Sequence, residues 1–470
     1  MTATIVTEGP PGVAVVDLPP TSPLEKKISE KGENAATAEA GDTSSGGATP
    51  PSEAVETISR WNSPPINKYR TLATFWSFLV VGMNDGSYGA LLPHLELHYG
   101  LNYTVVSLVF LSPFVGYAIA SAVNNLVHVH FGQRGVAFMA PLCHFVPYLI
   151  FSFHPPYPVM VVMYIFVGMG NGLADAAWCA FIGQMAKAHE MSGILQACYA
   201  LGATIAPLIA TALASDDGPG WWAFYWVITS ASAVEFFAAT STFWSQTGDV
   251  YLSENPMESG GKSGRTRAAV KNKLTWLFAF FVFGYCGAEV ALGGWIVVFM
   301  TRIRGATSIA GGAAATGFWG GMTAGRLFLS FLTARLGEFW SMILYLSLTV
   351  AFELVFWLVP NMIASAVAAA MLGVVMGPMF PTAVVLITKV LPRSLHVGTI
   401  GFATAFGGSG GAILPFLVGA IANNRGVQAL QPFILAVCIA LAILWSFVPH
   451  SPPKKAADSD EEAAGTPVTS

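Results

Sequence analysis

Long apolar stretches alternate with short polar ones through most of the chain. Twelve of them are long enough for membrane-spanning helices, because a bilayer core of roughly 30 Å needs about 20 helical residues. They lie near residues 71–93, 104–128, 135–153, 157–184, 192–214, 221–245, 274–301, 309–334, 339–359, 363–391, 396–422 and 428–449. The ten-residue alternation of a membrane β-strand is absent from them. We therefore predict an all-α membrane protein with twelve spans, numbered here in chain order.

Composition supports a membrane protein and excludes several other classes. Only 10% of the 470 residues are charged, 54% are hydrophobic, and the mean hydropathy is +0.59. A soluble domain is about a quarter charged. The net charge of −4 gives no basic face for nucleic acid. The five cysteines lie in apolar runs without metal-ligand spacing, so we expect neither a metal nor another cofactor. No catalytic cluster is evident, and we expect no enzymatic activity.

Polar segments flank and divide the apolar region. Residues 1–69 and 450–470 are rich in Pro, Ser, Gly and charged residues, which predicts disordered tails. A polar linker at 246–273 separates six spans at 70–245 from six at 274–449. With both tails in the cytosol, the outside connections carry only Arg302, Arg304 and Arg425, and most other Lys and Arg residues fall inside. This bias predicts cytosolic termini and an even number of spans.

The two groups of six spans repeat one another. A shift of 205 residues superimposes glycines on glycines over five spans. The pairs are Gly82/Gly287, Gly89/Gly294, Gly116/Gly321, Gly132/Gly337, Gly168/Gly373, Gly172/Gly377, Gly193/Gly398 and Gly202/Gly407. Parallel six-helix repeats joined by a cytosolic linker are typical of major facilitator transporters.

Three motifs extend this likeness. They are Gly-Met-Asn-Asp-Gly-Ser-Tyr-Gly (82–89) in span 1, Gly-Met-Gly-Asn-Gly-Leu-Ala-Asp (168–175) in span 4 and Gly-Ala-Glu-Val-Ala-Leu-Gly-Gly-Trp (287–295) in span 7. The chain resembles the major facilitator superfamily over about residues 71–449, and within it the fungal members of the fucose-permease-like branch. That resemblance implies proton symport of a sugar, with spans 1, 4, 7 and 10 lining a central cavity.

Acidic side chains inside spans are costly and need a reason. Asp85, Asp175 and Glu289 lie in cavity-lining spans, and we predict that they carry protons. The resemblance selects Asp85 and Asp175 in particular, since the branch uses one acid in span 1 and one in span 4. The alternative is that each joins neighbouring helices by hydrogen bonds. For Glu235 and Glu353, in peripheral spans, and for His144, a structural role is favoured.

Other polar and aromatic residues could contact a solute or form gates. The predicted substrate contacts are Asn84, Tyr88, Asn171, Trp178, Gln196, Tyr199 and Trp295, and a packing role is equally open for each. Arg326 needs a partner for its charge, and we predict that it and Asn125 belong to a gate near the cytosol. Asn102 begins an Asn-Tyr-Thr glycosylation motif on an outside loop.

These features favour a proton-coupled secondary transporter in which two six-helix halves rock around a central site. The solute would be a sugar or another small molecule, and the transporter a monomer in the lipid bilayer of the plasma membrane. A proton antiporter that exports a secondary metabolite or drug from a cell or organelle remains open. A nutrient sensor that binds without transport is a third reading.

Overall fold

The computed structural model describes residues 60–449, apart from residues 187, 216, 255–269 and 392. Within these residues the chain forms twelve long helices that match the predicted spans in order. They are α1 (Ile66–Tyr99), α2 (Leu108–Phe131), α3 (Gln133–Phe151), α4 (Tyr157–Gly183), α5 (Ala188–Leu213), α6 (Trp222–Phe243), α7 (Lys273–Arg304), α8 (Ser308–Leu336), α9 (Glu338–Leu358), α10a (Met362–Met376) continued by α10b (Met379–Val390), α11 (Arg393–Arg425) and α12 (Leu430–Ser446). Shorter helices occupy Tyr103–Val106, Gly248–Glu254 and Val427–Ala429.

Prolines set two helix limits that differ from the prediction. α1 begins at Ile66, inside the predicted N-terminal tail, directly after Pro65 at the N-cap. Proline suits a helix start because its missing N–H has no helical partner there. The tenth predicted span is interrupted at Gly377 and Pro378. Residues 1–59, 450–470 and the centre of the linker lie outside the described residues, so the predictions for the tails and linker remain predictions.

Two of the twelve long helices fall outside the set that is most clearly apolar. Ten helices in the described part of the chain are apolar and long enough to cross a membrane, and α1 and α8 are not among them. α1 carries Asn84 and Asp85 side by side, and α8 carries Arg326 and six glycines. Because polar groups in membrane helices are expensive, these two helices indicate where a functional site lies.

The six helices of each half pack in the same order. In the N-terminal half α1 packs on α5, α2 on α4, and α3 on α4 and α6. In the C-terminal half the corresponding pairs are α7 with α11, α8 with α10a, and α9 with α10a and α12. The predicted parallel repeat is therefore a repeat of packing as well as of sequence.

Several of the repeated glycines lie where helices cross closely, whereas Gly193 lies in open space. A Cβ on Gly202 of α5 would lie 2.2 Å from the carbonyl oxygen of Leu79, and one on Gly116 of α2 would lie 1.9 Å from that of Ile165. In the other half a Cβ on Gly321 would lie 2.2 Å from the carbonyl oxygen of Ala370. Only glycine allows backbones to approach this closely, which explains the spacing of 205 residues.

The two halves meet through α1 with α7, α2 with α11, and α5 with α8. We call the side at which α1 begins and α12 ends the tail side, and the opposite side the far side. The described hydrogen bonds, ion pair and ring contacts between halves lie toward the far side. They include Arg302 Nη2 to Glu96 Oε2 at 3.2 Å, Thr316 Oγ1 to the Thr204 carbonyl at 2.9 Å, and a Tyr103–Trp295 edge contact. The halves are thus held together on the far side.

Candidate functional site

Asp85 of α1 lies at the centre of a hydrogen-bonded group in the N-terminal half. Tyr199 of α5 donates its hydroxyl to Asp85 Oδ2 at 3.0 Å. The Asn84 amide donates to Asp85 Oδ1 at 3.0 Å and to the Tyr88 hydroxyl at 2.7 Å. Of the predicted substrate contacts, the structure therefore gathers Asn84, Tyr88 and Tyr199 around one carboxylate.

Asp175 of α4 is the second acid of this half. The Tyr117 hydroxyl of α2 donates to Asp175 Oδ2 at 3.0 Å, and the carboxylate is partly exposed. Asp175 and Asp85 lie close enough to interact electrostatically. Sequence reasoning missed Tyr117, although it follows Gly116, which marks the α2–α4 crossing. Each aspartate thus has a tyrosine partner from the helix packed against its own.

Glu289 of α7 has a cation for its partner. Arg326 Nη2 of α8 lies 3.2 Å from Glu289 Oε1, and both side chains are mostly buried. The predicted proton carrier and the predicted gate arginine thus form one ion pair. Tyr199 lies within electrostatic reach of both, so this pair sits across from the Asp85 group.

Five of the seven predicted contact residues are buried: Asn84 and Tyr88 beside Asp85, and Asn171, Trp178 and Trp295 elsewhere in helix interfaces. The Trp178 indole N–H donates to Ser77 Oγ at 3.1 Å, and that of Trp295 donates to the Pro415 carbonyl at 3.1 Å. Neither ring is accessible in this conformation. Asn171 is also buried, and its Oδ1 has no partner among the described residues.

The remaining predicted residues lie apart from this centre. Gln196 of α5 and Asn125, on the tail-side half of α2, are exposed. Asn102 is exposed on the far side, where its side chain accepts a hydrogen bond from the Val105 N–H and caps the short helix Tyr103–Val106. The glycosylation prediction for Asn102 stays a prediction.

A buried ionisable pair was not foreseen as a pair. His144 Nδ1 of α3 lies 3.0 Å from Glu235 Oε2 of α6, and both side chains are fully buried. A structural role was predicted for each residue separately, but a contact over 91 residues leaves no local signal.

Two parallel six-helix repeats around a polar centre define a multi-pass membrane transporter. The family model of the Major Facilitator Superfamily matches residues 74–311 and 278–470. The chain belongs to this superfamily and is a secondary transporter. Its members bind small-molecule substrates and usually act as monomers.

Two curated relatives cover most of the chain. Bypass of stop codon protein 6 of Saccharomyces cerevisiae is 29% identical over 422 residues, which are 83% of this chain and 84% of that protein. The glucose/mannose transporter GlcP of Bacillus subtilis is 22% identical over 370 residues, 77% of this chain and 90% of that protein.

Solved structures share the fold at low identity. A D-xylose–proton symporter superposes with a TM-score of 0.64 and 13% identity, over 81% of this chain and 98% of the other. The nucleoside transporter NupG superposes with a TM-score of 0.68 and 11% identity, over 80% of this chain and 99% of the other. A bacterial homologue of the human lysosomal transporter Spinster, in an inward-facing and unoccupied conformation, superposes with a TM-score of 0.68 and 12% identity. That match covers 82% of this chain and 97% of the other.

Proposed function

We propose that this protein is a proton-coupled symporter of a neutral, sugar-like solute, of the fucose-permease-like branch. The observation that carries the proposal is the contrast between its central acids. The described side-chain hydrogen bonds to Asp85 and Asp175 come from neutral donors, whereas Glu289 faces Arg326.

The neutral partners favour proton binding at the two aspartates. An ionised carboxylate in a membrane helix is costly unless a cation compensates it. Tyrosine and asparagine donors offset part of this cost, and a bound proton removes the charge. Glu289 already has a compensating charge in Arg326 and needs no proton. Asp85 and Asp175 are therefore the proton carriers in this proposal.

The charges also favour a neutral solute. An anion would have to draw Arg326 away from Glu289 Oε1, 3.2 Å away. Hydroxyl groups of a sugar could instead bond to Asp85 and Tyr199, which are partly exposed. GlcP, which is similar to this chain, is a glucose/mannose transporter, and one structural neighbour is a D-xylose–proton symporter.

Transport would proceed by alternating access. The halves touch on the far side, which is the arrangement of an inward-facing transporter if the tails are cytosolic. Both termini in the cytosol, a plasma-membrane location, monomeric function and a glycan at Asn102 complete the proposal. The positive residues on the tail side support this orientation.

Proteoliposomes with a trapped pH dye test the proposal. D-Glucose, D-mannose and D-xylose are added outside, and labelled-sugar uptake is measured in parallel. We expect the trapped dye to report acidification of the lumen as a sugar enters with its proton. Asp175→Asn should abolish this proton movement but retain sugar exchange, because the amide mimics a protonated acid. Asp217→Asn, at an exposed loop acid, is the matched control and should behave as the native protein.

Other outcomes identify the rival functions. Alkalinisation of the lumen as an apolar metabolite is taken up in exchange for protons would indicate an exporter. Sugar binding without flux would indicate a sensor. Either result, or native proton movement in Asp175→Asn, would refute the proposal.

A further inference from the structure

One carboxylate in the interior of the N-terminal half joins four helices. Glu235 of α6 bonds to His144 of α3 at 3.0 and 3.2 Å. Its Oε1 also accepts the Ser77 hydroxyl of α1 at 2.6 Å. Ser77 Oγ in turn accepts the indole N–H of Trp178 of α4 at 3.1 Å. We call Ser77, His144, Trp178 and Glu235 the four-helix network.

The network lies beside both proposed proton carriers along the chain. Ser77 precedes Asp85 on α1 by about two turns, and Trp178 follows Asp175 on α4 by one turn. The peripheral helices α3 and α6 are thereby linked to the two helices that carry Asp85 and Asp175.

The His144–Glu235 pair lies where solvent does not reach, since both side chains are fully buried. Removing one partner would leave the other buried without its bond, which is expensive. In this inference the pair holds α3 and α6 together.

The imidazole is also fitted tightly against α4. His144 Nε2 has no described hydrogen-bond partner, and a Cβ on Gly170 of α4 would lie 2.6 Å from it. Tyr148 stacks on the ring with a centroid distance of 6.1 Å. Among the described titratable groups, Tyr148 of α3 lies against the ring, and Asp85 of α1 and Asp175 of α4 are within electrostatic range of the pair. Tyr88 and Tyr225 interact electrostatically with Tyr148.

We propose that the four-helix network is a positioning element for proton coupling, which keeps Asp85 and Asp175 in fixed relation while the N-terminal half moves. The inference rests on the proposed symport. Without the network, α1 and α4 would shift relative to each other. One aspartate could then change its proton without the other, and sugar would cross without its proton.

The decisive variant is Ser77→Ala. It removes the hydrogen bonds from Ser77 to Glu235 and from Trp178 to Ser77, and it leaves the His144–Glu235 pair intact. The measurement is the ratio of protons to labelled D-glucose moved in proteoliposomes, together with D-glucose exchange. We expect the ratio to fall severalfold while exchange stays near native. Trp178→Phe cuts the link to α4 alone and should act in the same direction. Ser77→Thr keeps a hydroxyl at this position and should keep the native ratio of protons to D-glucose.

The control is Glu353→Gln in α9. Glu353 is equally buried but has no described partner, so its neutralisation should leave the ratio unchanged. A purely structural role for the network predicts that exchange, proton movement and thermal stability fall together in Ser77→Ala. That outcome, or a native ratio, would overturn the inference.

A second measurement needs no solute. Hydrogen exchange of the full-length protein in nanodiscs is compared at pH 6 and pH 8, after correction for intrinsic rates. In the native protein, peptides of α1 and α4 should change protection together; in Ser77→Ala they should change separately. If no sugar moves protons but this pattern appears, the proposed function fails and the network assignment stands. A joint change in Ser77→Ala would refute the assignment.

Discussion

The two halves share their packing but differ in the chemistry of their central acids. Glycines spaced by 205 residues set matching helix crossings in both halves. In the N-terminal half, however, Asp85 and Asp175 bond to tyrosine hydroxyls. In the C-terminal half Glu289 is paired with Arg326. The repeat has therefore kept the contacts that shape the helices and changed the groups that face the centre.

This difference separates two tasks. A carboxylate with neutral donors gains from a proton, while a carboxylate beside a guanidinium is already compensated. The N-terminal half is suited to bind protons, and the C-terminal half to hold a fixed, neutral pair.

The largest expected effect is a difference in D-glucose transport between Asp85→Asn and Glu289→Gln. A proton driven by 100 mV carries about 2.3 kcal/mol, which supports roughly 50-fold accumulation of a neutral solute. Asp85→Asn should lose this accumulation yet keep exchange, because the amide mimics the protonated acid. Glu289→Gln should lose exchange as well, because Arg326 loses its carboxylate partner. Uptake of labelled D-glucose at a fixed membrane potential measures accumulation in each variant, and labelled D-glucose exchange measures the second activity. Equal behaviour of the two variants would break the comparison.

Position 202, at the crossing of α1 and α5, should tolerate less change than the equivalent position 407, at the crossing of α7 and α11. A Cβ on Gly202 would meet the Leu79 backbone at 2.2 Å, whereas one on Gly407 would meet the Val282 side chain at 2.5 Å. Overpacking typically costs about 1–3 kcal/mol, and a side chain relaxes more easily than a backbone. Gly202→Ala should lower the thermal midpoint in detergent more than Gly407→Ala. Gly193→Ala, in open space, is the control and should not lower it.

Removing both charges of the C-terminal pair should cost less than removing one. Arg326→Leu leaves Glu289 without its cation and should destabilise the protein by about 1–3 kcal/mol, since the pair is mostly but not wholly buried. Arg326→Leu with Glu289→Leu should recover much of that loss. Thermal unfolding of the single and double variants gives the interaction free energy between the Arg326 and Glu289 side chains. Simple additivity would mean that the two charges do not interact.

The smallest effect concerns the ion pair that joins the halves on the far side. Glu96 and Arg302 lie at 3.2 Å, with 17% and 48% of their side chains exposed. Such a pair contributes roughly 0.2–1 kcal/mol, so Glu96→Gln should shift the balance toward a far-side-open state by up to about fivefold. Labelling of a cysteine introduced at Thr301, in a background without native cysteines, reports this opening. The charge exchange Glu96→Arg with Arg302→Glu should restore native labelling.

The comparison also shows which features could be read without coordinates. Span length, the parallel repeat and the positions of the costly acids follow from local composition and periodicity. The glycine pairs pointed to helix crossings because close approach excludes side chains. The interruption at Gly377 and Pro378 and the start of α1 at Ile66 also have local causes, in proline, that the apolar pattern had obscured.

The sequence by itself determined a twelve-helix membrane bundle in two repeats, and it singled out Asp85, Asp175, Glu289 and Arg326 because charge in hydrocarbon is rarely incidental. The hydrogen-bond partners of these acids depend on the tertiary structure. Tyr117 and Tyr199 come to the aspartates across 58 and 114 residues, and Glu235 comes to His144 across 91. The buried positions of Trp178 and Trp295 were also decided there. Hydrogen bonds between helices depend on rotation and crossing geometry, which the packing of the whole bundle fixes and no local pattern records.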